Sequence, residues 1–566
     1  MRLAAVPGVR VLRTYERAWL SKDVVAGLVL TALLVPQGMA YAELAGLPPI
    51  TGLYTSILCL IGYAIVGPSK ILVLGPDSSL GPMIAATILP ILGADGDPAR
   101  AVALASMLAI LVGAIMLLAG AAKLGFIADL LSKPTQIGYM NGLALTILVG
   151  QLPKLFGFSV DADGFLPELR GFVQGVSNGE TVGAALVVGV TALAVILVLQ
   201  RAMPKVPSVL VAVVLSILAV EVFDLTASGV SVVGSLPSGF PPFTVPDVGL
   251  GDLPLLIGGA LGIVFVALAD TISTASAFAA RAGDRVHGNQ EMIGIGTANV
   301  AAGFFQGFPV STSGSRTAVA EQAGAKSQIA GLVGAAAIVL ILLAVPGLLR
   351  NLPQPALAAV VIAASLSLAD VAGVVRLWTL RRTEAWLAVA AFLAVTLLGV
   401  LPGIGIAVAL SILNVFRRTW WPHQAILGDT PDLPGFHDLE MHPDGETTPG
   451  LVIFRFDAPL IFANARTFRE QVHELAEEPD LRWILIAAEP ITDVDTTAAD
   501  MLVELDEWLN ARGISLVFAE MKDPVHAKIT RYELTRTIDP SHFYPTIRAA
   551  VRAFAAHDRP GGKEQP

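Results

Sequence analysis

Residues 307–320, GFPVSTSGSRTAVA, gather Ser311, Thr312, Ser313, Ser315 and Thr317 around one arginine, Arg316, with long apolar runs on both sides. Pro309 fixes its own backbone angle and discourages helix before it, so GFPVS reads as an extended run. Ser311, Thr312 or Ser313 can then cap a short helix that begins near Gly314. The free N–H groups and positive dipole end of such a helix favour an anion, and a guanidinium adds full charge and planar donors suited to an oxyanion. The competing role is structural, an ion pair of Arg316 with Asp270 or Asp77 that joins two helices; the two roles are compatible. LGPDSSLGPM (74–83) has the same form, a proline before a small polar segment, and would bring Asp77, Ser78 and Ser79 to a second helix start. For Asp77 three roles stand open: capping its own helix, neutralising Arg316, or titrating.

Asp270 lies in LGIVFVALADTISTASAFAA with no base beside it in sequence. Thr274, four residues on, shares its helical face. A carboxylate with a hydroxyl one turn below is a ligand pair for Na⁺, since hard cations take oxygen; the carboxylate alone can carry a proton. The alternative is a polar contact that only fixes helix packing. In VPQGMAYAELAGLPPITGLY (35–54), Pro36 is expected to kink or unwind the first helix beside Gln37, and Tyr41 faces the same way as Gln37. Both are candidate substrate contacts, although Tyr41 would also serve as an interface anchor.

These residues need a membrane around them. The 566 residues are 54% hydrophobic and 14% charged, with mean hydropathy +0.70. Soluble domains carry about 25% charged residues. Between residues 24 and 418, apolar runs of roughly 17–24 residues recur, long enough for a bilayer core of about 30 Å. They amount to about fourteen spans, the third and tenth short and irregular. With the N-terminus in the cytoplasm, inside loops collect eighteen Lys/Arg against four outside, Arg100, Lys154, Arg170 and Arg350. That bias fixes the orientation and puts both termini in the cytoplasm. The first residues lack a signal-peptide layout, so the first run is read as a retained helix. Pro36 and Asp270 are 234 residues apart, and Asp77 and Thr312 are 235 apart. One offset for two pairs points to two seven-helix halves, inverted because seven is odd, with the site at mid-membrane.

From about residue 438 the pattern becomes that of a small α/β domain. GLVIFRFDAPLIFANARTF, RWILIAAEP and GISLVFAEM read as strands; FREQVHELAEE and AADMLVELDEWLNARG read as helices, with Gly513 suited to a helix end. The domain reading is a cytoplasmic segment at 1–22, a transmembrane part at 23–420, a linker at 421–437, an α/β domain at 438–556 and a disordered tail at 557–566. Residues 421–566 hold 13 Lys/Arg and 25 Asp/Glu, so the overall charge of −10 belongs to this part and a basic nucleic-acid surface is unsupported. A phosphate loop, an H-E-x-x-H pair and paired cysteines are missing, and seven of eight histidines follow residue 420. Cys59 is the single cysteine, so no internal disulfide forms. The chain reads as one that binds and moves something, not as an enzyme, and no cofactor is expected beyond a coupling Na⁺ or H⁺.

VPQGMAYAELAGLPPITGLYTS, LGPDSS, ADTIST, GFPVSTSGSRTAVAEQAGAKSQIAGL and, in the tail, PLIFANARTF and DVDTTAADML together resemble the sulfate permease (SulP/SLC26) family of anion transporters, in order from about residue 10 to 555. The resemblance implies a polytopic α-helical membrane protein with 14 TM helices as a 7+7 inverted repeat, in core and gate domains, plus a cytoplasmic α/β STAS-like domain resembling anti-sigma-factor antagonists. It implies a homodimer in the plasma membrane that moves a small anion by elevator-like motion. Sulfate is the first expectation, with bicarbonate, C4-dicarboxylates or an uncoupled anion channel as alternatives. Carried over, Gln37, Tyr41, Ser78, Ser315 and Arg316 match substrate positions. ADTIST resembles a Na⁺-site segment, which would give Asp270 and Thr274 to the cation, while other members with an acid there are read as proton-coupled. Thr497 stands where regulatory relatives have a phosphorylatable serine, and Ala498 replaces the following glycine.

Overall fold

The computed structural model describes residues 7–8, 14–93, 96–126, 132–162, 164–203, 206–282, 286–430 and 433–557. The chain divides into two compact units, Met1–Ile412 and Leu413–Pro566. In the first, α1 (Leu20–Leu44) and α2 (Pro49–Val66) lead into a two-residue strand β1 (Leu74–Gly75) and the short helix α3 (Gly81–Leu92). Next come α4 (Pro98–Ala121), α5 (Lys133–Leu155), α6 (Phe165–Ser177), α7 (Gly183–Ala202) and α8 (Ser208–Val222). The same opening order then recurs: α9 (Leu253–Ala282), α10 (Gly288–Gly303), β2 (Ser311–Thr312) and the nine-residue α11 (Gly314–Gln322). The series closes with α12 (Ile329–Ala344), α13 (Gln354–Leu368), α14 (Val371–Leu380), α15 (Arg382–Leu398) and α16 (Val400–Trp420), which runs on past Ile412.

Seven helical stretches among the described residues are long and apolar enough to cross a membrane, and three shorter helices, α3, α8 and α12, are also apolar. Large apolar side chains such as Val187, Leu218, Leu261 and Leu340 stay exposed, as a lipid-facing surface requires. Between Leu20 and Trp420 sixteen α-helices are described, of which α6 and α14 are one-sided and bury almost nothing. Setting those two aside leaves fourteen, the number of spans expected. Pro36 does not unwind its helix: α1 continues as helix to Leu44, so the missing N–H frees a carbonyl without ending the element. Asp270 likewise sits inside the continuous α9.

At the middle, β1 and β2 pair antiparallel, Leu74 opposite Thr312 and Gly75 opposite Ser311. Extended chain inside a membrane is tolerable only where protein satisfies the backbone. Side chains do so here. Thr55 Oγ1 accepts from the Phe308 N–H (3.1 Å) and Asn299 Oδ1 from the Val310 N–H (2.9 Å), while Asn299 Nδ2 donates to the Val310 carbonyl (3.2 Å). Ser106 Oγ donates to the Gly307 carbonyl (3.0 Å), and Thr317 Oγ1 accepts from the Val73 N–H (3.1 Å).

The second unit holds a six-stranded sheet of order β4-β3-β5-β6-β7-β8, comprising β3 (Gln424–Thr430), β4 (Leu433–Asp438), β5 (Leu451–Phe456), β6 (Trp483–Ala487), β7 (Ser515–Ala519) and β8 (Phe543–Tyr544). β5 to β8 run parallel and β3 and β4 antiparallel. The segment 421–437 is therefore no linker: it supplies two strands of the sheet, with a pairing at Gln424–Phe456 that sequence patterning at 438 and beyond did not include. Helices α17 (Ala465–Leu475), α18 (Thr496–Asn510) and α19 (Asp523–Arg531) cover one face, through Phe468, Leu502 and Val525, and α20 (Ile547–His557) covers the other through Phe554. Trp483–Ala487 is buried throughout, as a parallel strand covered on both faces should be. Half of the expected segment 1–22 and, apart from His557, the expected tail at 557–566 lie outside the described residues.

Candidate functional site

A cavity of about 1000 Å³ lies in the first unit, and every membrane-embedded candidate lines it: Gln37, Tyr41, Ser78, Asp270, Thr274, Ser315 and Arg316, with Asp77 beside them. The α1 wall is a single helical face, since Val25, Val29, Leu33, Gln37 and Tyr41 follow one another at spacings of four. α13 forms another wall with Val360, Ala363, Ala364, Ser367 and Leu368.

The two helix starts after the paired strands supply the polar end. Ser313 is the N-cap of α11; its Oγ accepts from the Arg316 N–H at 3.4 Å and lies 3.1 Å from Ser315 Oγ. Of the three hydroxyls that could cap, the one adjacent to Gly314 does so because it alone reaches the third residue of the helix. Arg316 is 1% exposed. Its Nη1 donates to the Pro76 carbonyl at 2.6 Å, and its Nη2 lies 3.9 Å from Asp77 Oδ2, beyond hydrogen-bond range. Nε and Nη2 have no hydrogen-bond partner in the protein. The guanidinium packs over Gly75, where a Cβ would stand 3.3 Å from Cζ and press on the guanidinium plane. Burying unpaired donors is costly; both nitrogens lie beneath the cavity surface, so the guanidinium acts on an oxyanion in the cavity through its charge.

Asp77 does not cap α3, whose N-cap is Leu80 and has no side-chain cap bond. Its Oδ1 instead accepts from the Ser79 N–H (3.0 Å) and Ser79 Oγ (2.7 Å), a turn that leaves Oδ2 towards Arg316. Asp270 Oδ2 lies 3.3 Å from Ser79 Oγ, and Gln136 Nε2 is 3.5 Å from Oδ1. The ion pair of Arg316 is thus with Asp77, and Asp270 joins it only through Ser79. Thr274 lies beside the α11 start, with Oγ1 3.8 Å and Cγ2 3.9 Å from where a Gly314 Cβ would be. Thr312 Oγ1 bonds Thr271 Oγ1 at 3.2 Å, tying β2 to α9.

Sequence reading placed Ser79 at the second helix start without connecting it to Asp270, and it missed Gln136, Thr271 and Gly75. Their partners lie about 40 to 240 positions away, so spacing held no signal for them. Asn299, an amide in the mostly apolar second half of α10, was detectable as an intramembrane polar residue. Thr497 belongs to the second unit and is not among the cavity-lining residues; it is exposed near the start of α18, where Asp495 caps by accepting from the Ala498 N–H at 2.9 Å. Among the described residues no group of three His, Cys, Asp or Glu is placed to hold a metal ion.

Comparison with known proteins gives the geometry a context. The model of the sulfate permease family matches residues 20–391, and that of the STAS domain matches 442–550. A probable sulfate transporter of Mycobacterium tuberculosis is 42% identical over 550 residues, covering 97% of this chain and 98% of that one. The probable sulfate transporter 3.3 of Arabidopsis thaliana is 29% identical over 568 residues, covering 96% and 89%. Among solved structures, the murine anion transporter Slc26a9 in its inward-facing state superposes with a TM-score of 0.89 at 24% identity, over 97% of this chain and 94% of that one. The transmembrane domain of the cyanobacterial bicarbonate transporter BicA matches with a TM-score of 0.59 at 19% identity, over 70% and 97%.

Proposed function

Since this chain belongs to the sulfate permease family, whose members are membrane transporters and not enzymes, we propose that it takes a small oxyanion, sulfate first, across the plasma membrane by secondary active transport. The observation that carries the reading is the buried Arg316 guanidinium, with Nε and Nη2 unpartnered, beside a capped helix start on a cavity large enough for a tetrahedral anion. The Ser313-capped α11 start and Ser315 add donors, and Ser78, Gln37 and Tyr41 surround the remaining sides. Hydroxyls, a dipole and one guanidinium complement a desolvated anion through its oxygens.

The cavity lining includes Val25 of α1, Gln200 of α7 and Gln322 of α11, ends that adjoin the basic inside loops, and this supports an inward-open state with both termini cytoplasmic. The recurring element order, meeting at the antiparallel β1–β2 pair, supports two inverted seven-helix repeats. Elevator-type alternating access then moves the strand-bearing core against a gate that includes α13, within a homodimer. Coupling falls to Asp270. A proton needs that carboxylate alone. Sodium would need several oxygens to converge, and the groups that reach Asp270 are Ser79 Oγ at 3.3 Å and Gln136 Nε2 at 3.5 Å, so the donor set fits a proton better.

Proteoliposome uptake of radiolabelled sulfate, bicarbonate and succinate, each under an imposed Na⁺ or H⁺ gradient, tests this directly. Sulfate should accumulate under a proton gradient and not with Arg316→Ala. Flux of another anion with no sulfate flux would change the substrate; equal flux with and without every gradient would remove the coupling.

A further inference from the structure

Asp77 is an anomaly in an anion site. Its carboxylate lines the cavity and stands 3.9 Å from the buried Arg316 guanidinium, where the cargo's own negative oxygens are needed. A structural salt bridge would bring hydrogen-bonding contact, yet Nη2 and Nε of Arg316 remain without a hydrogen bond. Asp77 is held by other means: Oδ1 takes the Ser79 N–H and hydroxyl, which fixes the side chain and leaves Oδ2 3.9 Å from Arg316 Nη2. Resting on the anion-transport reading above, we propose that Asp77 is a specificity-determining residue, a fixed internal counter-anion that penalises the bound cargo in proportion to its charge.

The physics is Coulomb repulsion at short range in a shielded cavity. With the site empty, Asp77 and Arg316 offset one another. When an anion docks at the α11 start, beside the buried guanidinium, it meets the Arg316 charge and the Asp77 charge together. Repulsion from Asp77 scales with cargo charge, so a dianion bears twice the penalty of a monoanion at one position. A carrier must release its cargo as well as take it, and a lone buried guanidinium flanked by two helix starts would hold a dianion too long. The charges facing Asp77 are Arg316 directly and Asp270 through Ser79, so removing Asp77 leaves the cation less compensated and the cavity more attractive to any anion.

The test is binding of sulfate and of bicarbonate to the purified full-length protein, with Asp77→Asn compared with wild type. Asparagine keeps an Oδ1 acceptor for the Ser79 N–H, so the turn survives while the charge is lost. Bicarbonate affinity should rise about tenfold and sulfate affinity by about the square of that factor, with sulfate turnover falling, since the gains follow charge. Asp77→Glu, which keeps the charge, should show no comparable gain. Equal gains for the two anions, no gain, or weaker binding in Asp77→Asn would overturn the proposal and leave Asp77 a turn residue. Wild type and variant both indifferent to sulfate and bicarbonate would overturn the transport reading and this proposal with it.

Discussion

Arg316 is costly to bury, and its surroundings offset that cost only in part. One carbonyl at 2.6 Å and one carboxylate at 3.9 Å leave Nε and Nη2 buried without a hydrogen bond. That residue was legible in sequence because it is the one basic side chain before residue 420 that could not be moved to a loop or helix end. Asp270 was legible for the same reason with opposite sign. Its partners were not, since Ser79 and Gln136 reach it from two other helical regions. Asp270→Asn keeps the shape and both polar contacts while removing the ability to exchange a cation. Uptake driven by a proton gradient should fall to the background of empty vesicles, while anion exchange without a gradient persists. Unchanged pH and Na⁺ dependence of uptake in this variant would take the coupling role from Asp270.

At the level of elements, the site depends on how closely α1 and α2 cross. A Cβ on Gly52 would fall 1.9 Å from the Gly38 carbonyl oxygen, whereas one on Gly38 would stand 3.1 Å from the Gly52 oxygen. α1 carries Gln37 and Tyr41, so the crossing sets one wall of the cavity. Gly52→Ala must displace a backbone, at a cost of about 1–3 kcal/mol or more, and Gly38→Ala needs only a small adjustment. Thermal unfolding in detergent and sulfate uptake should both show Gly52→Ala impaired and Gly38→Ala near wild type; the reverse order would mean that α1 and α2 repack freely. The extended segments were also readable at this scale, from Pro309 and from the hydroxyl run. Where their backbone groups find partners was not, because Thr55, Ser106 and Asn299 belong to three other helices.

For the whole molecule, every cavity-lining residue lies between Val25 and Leu368, inside the first unit. Removal of the chain from residue 421 onward should therefore lower transport rate or assembly and leave sulfate affinity within about threefold, a difference smaller than one lost hydrogen bond. A cut near 435, within β4, would split the antiparallel β3–β4 pair and expose a sheet edge, so aggregation is expected there instead. Burial pushes the Asp506 carboxyl in α18 up to about 6, against the opposing hydrogen bond from Asn510 Nδ2 at 3.0 Å. An unfolded aspartate titrates near 3.9, so between about pH 4 and 6 the folded state holds more protons and this group's stabilisation is lost as pH rises. Amide-exchange protection of 496–510 in the full-length protein, corrected for intrinsic rate, should decline over that range, and Asp506→Asn should flatten the decline. Sequence alone determined the membrane class, the helix count, the α/β tail and the residues that carry charge into the lipid, because hydrophobic period and the cost of a buried ion are local properties. Only the tertiary structure decided that Arg316 faces Asp77 and not Asp270, that α1 passes Pro36 unbroken, and that 424–438 belongs to the sheet. Each of those rests on contacts between segments far apart in the chain, where partner geometry, and not local preference, sets the energy.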